Sequence, residues 1–132
     1  MRFQVGDKGS FTKTVSESDV YLFAGITGDM NPAHINEVAM KESRFGGRIA
    51  HGMLSAGFIS AVLGMKMPGP GTIYLRQTVN FLAPVHIGDT ITATCEVVDV
   101  IDGKRLRIRT TCTNQDGTVV VDGEALVLPP KE

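Results

Sequence analysis

Apolar residues recur at every second position through four stretches of the chain's second half. That is the period of a strand with one buried face. Ile73, Leu75, Val79 and Phe81 alternate with Tyr74, Arg76, Thr78 and Asn80. Ile91, Ala93, Cys95 and Val97 alternate with polar neighbours, and Leu106, Ile108, Thr110 and Cys112 with Arg105, Arg107, Arg109 and Thr111. Val119, Val121, Ala125 and Val127 form the last run. Asp102-Gly103 is a two-residue hairpin signal and Asp116-Gly117 marks a further turn. The pattern predicts an antiparallel sheet with one apolar face and one face open to water. A weaker alternation over 9–15 predicts a first strand.

The first half reads as helices and shaped loops. Ser16-Glu17-Ser18-Asp19 is the acidic variant of a capping box, with Val20, Phe23, Ala24 and Thr27 at helical spacing behind it. Gly28 suits a left-handed helix end. Pro32 biases Asn31 towards extended backbone, so residues 29–34 are expected on a shaped loop. A short helix over 36–41 follows, and Gly46-Gly47 breaks the chain. Residues 52–64 are apolar on nearly every face, which predicts a helix buried all round. Pro68-Gly69-Pro70-Gly71 enforces a turn, and Pro129-Pro130-Lys131-Glu132 reads as a solvated tail. A sheet wrapped around the apolar helix buries both, and a second copy can cover the edges that remain.

The 132 residues are expected to form a single domain over 1–132. With 13 basic and 14 acidic residues the formal net charge is −1, which gives no support to general nucleic-acid binding. Cys95 and Cys112 lack Cys-x-x-Cys spacing and fit a reducing compartment. Residues 1–7 hold no apolar signal region. The apolar run over 53–67 already contains Lys66 and is shorter than the roughly 20 residues that span a bilayer. The expectation is a soluble cytoplasmic protein with no membrane segment.

Candidate chemistry gathers in two places. Asp29 and His34 flank Asn31 on the Pro-constrained segment, and Ala50-His51-Gly52 leads into the apolar helix. A carboxylate and an imidazole on one rigid segment can hold a water between them and act as a general acid–base pair. A helix start has free N–H groups and a positive dipole end, and Gly52 lets a carbonyl oxygen approach closely. Bland readings stand beside these. Asp29 and Asn31 are also turn residues, His34 also a hydrogen-bonded structural histidine, and Gly52 also a packing glycine. His51 reads as structural or pocket-lining, His86 as surface, and Arg105, Arg107 and Arg109 as a solvated face. The histidines and cysteines show no metal-ligand spacing.

The stretch Phe23-Ala24-Gly25-Ile26-Thr27-Gly28-Asp29-Met30-Asn31-Pro32-Ala33-His34, followed by Arg48-Ile49-Ala50-His51-Gly52-Met53-Leu54, closely resembles the hydratase motif of MaoC-like proteins. Asn80-Phe81-Leu82-Ala83-Pro84-Val85 and Gly88-Asp89 extend the likeness, which covers nearly the whole chain. The resemblance implies an α+β hot-dog fold, a curved antiparallel sheet around one central helix, and a homodimer with the active site near the subunit interface. It implies reversible hydration of trans-2-enoyl-CoA to (R)-3-hydroxyacyl-CoA, with no metal or other cofactor. Asp29 and His34 would share the water, and the Gly52 N–H would hold the thioester oxygen. Asn31 would support the loop or touch substrate. Ser60 matches a family position near the catalytic pocket, although a buried helical serine also bonds back to its own helix. Met53, Leu54, Phe58, Val62 and Leu63 would line the acyl path, and Arg44, Arg48, Lys66 and Arg76 are alternatives for the CoA phosphates. An acyl-CoA thioesterase and a non-catalytic acyl-CoA-binding module remain the rival functions, and an acyl-carrier-protein substrate the rival carrier.

Overall fold

The computed structural model describes residues 2–131. Glu132 of the expected tail and Met1 lie outside the described residues. Five antiparallel strands form one sheet in the order β1-β3-β4-β5-β2. They are β1 (Lys8–Thr14), β2 (Ile73–Phe81), β3 (Thr90–Ile101), β4 (Arg105–Thr113) and β5 (Val119–Leu128). The helices are α1 (Glu17–Thr27), α2 (Pro32–Ile35), α3 (Glu37–Lys41) and α4 (Gly52–Met65). α4 lies across the sheet and packs on β1, β3, β4 and β5.

The alternating runs place the core. Ile91, Ala93, Cys95 and Val97 on β3, with Leu106, Ile108, Thr110 and Cys112 on β4, are all fully buried. Against them α4 sets Phe58, Ile59, Val62 and Leu63. Asp102 and Gly103 both take positive φ, 53° and 65°, as a tight hairpin requires. Ser16 caps α1 reciprocally: its Oγ accepts from Asp19 N–H at 3.1 Å and its own N–H donates to the Asp19 carboxylate at 3.0 Å. Gly28 closes α1 in the left-handed region.

Several expectations are corrected. Pro32 does not hold the 29–34 segment as a loop. It opens the one-turn helix α2, because the N–H that proline lacks would have no acceptor within the helix at its first turn. α4 is not buried on all sides: Gly52, Met53, Gly57, Ser60 and Met65 are exposed. Phe58, Val62 and Leu63, expected along an acyl path, instead point into the sheet. On β2 the alternation does not bury a face, and Ile73, Tyr74, Leu75 and Phe81 all remain exposed. β2 is an edge strand, and its register with β5 slips between Tyr74 and Arg76. On β5, Val119 is exposed while Val120 and Val121 are both buried, because the pairing slips between Cys112 and Thr113. The tail is not fully solvated: Pro130 packs on Gly71 and its carbonyl accepts from Arg2.

Candidate active site

The turn after α1, α2 and the start of α4 meet at one cavity of about 430 Å³. Asp29, His34, His51, Gly52, Met53, Ser55 and Phe81 line it, together with the segment from Leu82 to Val85. The two sequence segments singled out for chemistry are thus joined in space.

Asp29 sits just past Gly28, where the left-handed residue turns the chain out of α1. One carboxylate oxygen of Asp29 accepts from Asn31 N–H at 3.3 Å. The turn role and an open second oxygen therefore coexist. Asn31 is exposed and caps α2, its Oδ1 accepting from Ala33 N–H at 3.0 Å. It does not line the cavity.

His34 is buried on α2, and its Nδ1 lies 2.7 Å from the Ile49 carbonyl oxygen. A carbonyl can only accept, so Nδ1 carries the proton and Nε2 of the neutral ring is an acceptor. His51 is buried as well, and its Nε2 lies 2.9 Å from the Asp29 carbonyl oxygen. By the same reasoning Nε2 of His51 is protonated. Its Nδ1 is buried without a hydrogen-bond partner. The two imidazoles stack at 3.7 Å with a 26° tilt, and Phe23 lies 4.8 Å from the His51 ring.

Donor atoms of Asp29, His34 and His51 lie within 4.8 Å of one another. Two hydrogen bonds of about 2.8 Å through one bent water span roughly 4.6 Å, so this spacing fits a shared water. The cluster is also of metal-ligating residue types. Imidazole lone pairs lie in the ring plane, however, and two stacked rings aim them side by side rather than at one point. The arrangement suits proton transfer better than a tetrahedral ligand set.

Gly52 opens α4, so its N–H has no acceptor within the helix. A Cβ at Gly52 would lie 2.5 Å from the Phe81 ring. The absence of a side chain therefore serves packing and leaves the N–H approachable.

Ser60 is placed elsewhere. It faces a second depression of about 460 Å³, with Ala56, Gly57, Tyr74 and Gln77. Met53 lines both hollows. Arg48 is not available for phosphates, because Glu17, Glu37 and Tyr21 hold it. The Glu17 carboxylate does most to raise its basicity above the ordinary guanidinium value. His86 is half-buried rather than free at the surface, with Nε2 3.0 Å from the Phe45 carbonyl oxygen. Sequence reasoning missed Ser55 and Phe81 as wall residues and the stacking of His51 on His34. The mostly apolar surroundings of Ser55 and Phe81 carry no local sign of which side faces a cavity.

The MaoC like domain family matches residues 3–119. The chain belongs to that family. This MaoC-like protein is 56% identical over 126 residues to the (R)-specific enoyl-CoA hydratase of Rhodospirillum rubrum, covering 95% of this chain and 87% of that one. It is 50% identical over 130 residues to the 3-hydroxybutyryl-CoA dehydratase of Methylorubrum extorquens, covering 98% and 82%. The unliganded R-hydratase of Pseudomonas aeruginosa superposes with a TM-score of 0.95 at 44% identity, covering 98% of this chain and 84% of that one. The (R)-hydratase of Aeromonas caviae gives 0.94 at 36% identity, covering 97% and 98%. The curved sheet with its packed helix is thus the hot-dog fold of the MaoC-like hydratases.

Proposed function

We propose that the protein catalyses the reversible hydration of trans-2-enoyl-CoA to (R)-3-hydroxyacyl-CoA. The observation that carries this reading is that Asp29 and His34 line the cavity at Gly52 with a carboxylate oxygen and a ring nitrogen no more than 4.8 Å apart. The names borne by the similar hydratases and dehydratase support it.

Asp29 and the bare Nε2 of His34 hold one water above the double bond. Its oxygen bonds to C3, and a proton is delivered to C2. The pair takes one proton from the water and returns one to the substrate, so no redox step enters. As the water oxygen adds to C3, charge moves through C2 onto the thioester carbonyl oxygen. The Gly52 N–H, at the positive end of α4, receives that charge, a contribution worth about 10²–10³ in rate. Asn31 keeps the Asp29 turn in shape through its cap on α2. Ser60 contributes to substrate binding from the second depression, which adjoins the first at Met53.

The working unit in this reading is a homodimer. Edge strand β2 and the small-residue side of α4 leave Ile73, Leu75, Phe81 and Met53 exposed in one chain. A second copy seated there covers them and closes the substrate cleft between subunits. Unpaired Cys95 and Cys112 support a cytoplasmic location, and no helix among the described residues is long and apolar enough to cross a membrane. Chiral analysis of the product formed from crotonyl-CoA tests the reading. The (R)-3-hydroxy thioester is expected, and an (S) product or a racemate contradicts the proposal.

A further inference from the structure

α2 is a single turn of four residues, far too short to be stable alone. It nevertheless has to hold His34 at one angle. The bonds that hold it converge on a side chain outside the cavity. Arg48 is only 12% exposed, and its Nη2 lies 2.7 Å from a Glu17 oxygen and 2.9 Å from a Glu37 oxygen. Its Nε donates to the same Glu37 oxygen at 3.0 Å, and Nη1 donates to the Tyr21 hydroxyl at 2.7 Å. One guanidinium thus ties α1 to α3.

The clamp reaches α2 from both sides. The Tyr21 hydroxyl donates to the Ile35 carbonyl at 3.1 Å, the last residue of α2. Ile49, the chain neighbour of Arg48, donates its N–H to the Ala33 carbonyl at 3.0 Å. Its carbonyl receives His34 Nδ1. A lysine ammonium has no planar fork with which to meet two carboxylates and a phenol at once.

We infer that Arg48 is a positioning residue for hydration: it holds the Ile49 carbonyl against His34, so that Nδ1 stays protonated and Nε2 faces the water. The inference rests on the hydratase reading of the site. Without the clamp, Ile49 and α2 shift relative to each other and the neutral ring samples both tautomers. Half-correct tautomers and sub-ångström misplacement lower kcat while the substrate contacts stay in place.

The full-length Arg48→Met and Arg48→Lys variants test this, by crotonyl-CoA hydration kinetics and by ¹⁵N NMR of the His34 ring. Arg48→Met is expected to lower kcat by about 10- to 100-fold with KM changed by no more than about threefold. His34 should then show mixed tautomers, and Arg48→Lys should recover part of both. A kcat within about twofold of the parent overturns the inference, as does a lower kcat with His34 still wholly Nδ1-protonated. Should Arg48→Met fail to fold, Glu37→Gln is judged by the same two readouts, with a smaller shift in the same direction expected. A parent that shows no hydration yet loses its single tautomer on Arg48→Met defeats the hydratase reading and leaves the clamp standing.

Discussion

His34 Nδ1 and the Ile49 carbonyl oxygen lie 2.7 Å apart. That contact decides the chemistry available at the cavity. It keeps the proton of the neutral His34 ring on Nδ1 and leaves Nε2 as a hydrogen-bond acceptor, and the Asp29 carboxylate keeps one oxygen free of the turn it stabilises. His51 backs the pair, its ring stacked on His34 and its Nε2 on the Asp29 carbonyl.

Asp29→Asn and His34→Ala should each lower the hydration rate by about 10²–10⁴-fold, the range for losing a general acid–base group. Neither should unfold the chain, since Asn can still make the turn bond to Asn31 N–H and the His34 site opens onto the cavity. Steady-state kinetics paired with circular dichroism checks this. A variant that folds and keeps near-parental turnover removes its residue from the mechanism.

Gly52→Ala should depress kcat/KM by about tenfold or more. The new methyl meets the Phe81 ring at 2.5 Å and drives it into the cavity beside the helix start. Adding Phe81→Ala should return a large part of the activity by making room. If the double variant is no better than the single one, the crowding argument fails.

Gly57 tests the dimer. In one chain a Cβ there meets nothing within 4 Å, so Gly57→Lys should raise the stability of an isolated α4 by a few tenths to about 1 kcal/mol. A second copy on that face leaves no such room. Light scattering after size exclusion should then show a monomer with impaired hydration, whereas an unchanged dimer places the interface elsewhere.

Burial pushes both thiols up, Cys95 and Cys112 each to about 12 from an ordinary 9.0, with Cys112 adding to the shift at Cys95. Below pH 9 both folded and unfolded chains keep their thiols protonated, and these groups add no pH dependence. Between about pH 9 and 12 the unfolded chain releases protons that the folded chain retains, so stability falls as pH rises. Denaturant titrations across that window should show the fall, and Cys95→Ala/Cys112→Val should flatten it. Native protein should also resist thiol alkylation at pH 8 until it is unfolded.

Period and punctuation made β3, β4, their hairpin and the cap of α1 legible, because each is set by neighbours in sequence. Ile91 to Val97 needs only its own alternation to declare a buried face. The failures share one cause, which is dependence on distant partners. β2 alternates like a half-buried strand, yet its place at the sheet edge leaves it bare. Residues 52–64 are apolar all round, but only the fold decides that Phe58 points to the sheet and Ser60 away from it. Arg48 gives no local sign of its role, since Glu17 and Tyr21 reach it across most of the helical half. The meeting of Asp29 and His34 at one site was legible, whereas the stacking of His51 on His34 was not.

The most direct test is a paired assay on purified protein with crotonyl-CoA, following loss of the enoyl-thioester absorbance and release of free thiol in parallel. Enoyl loss without thiol is the predicted result, with Asp29→Asn silent in the same assay. Thiol release at a rate matching the enoyl loss would contradict the account, because it requires water to attack the thioester carbonyl and not C3.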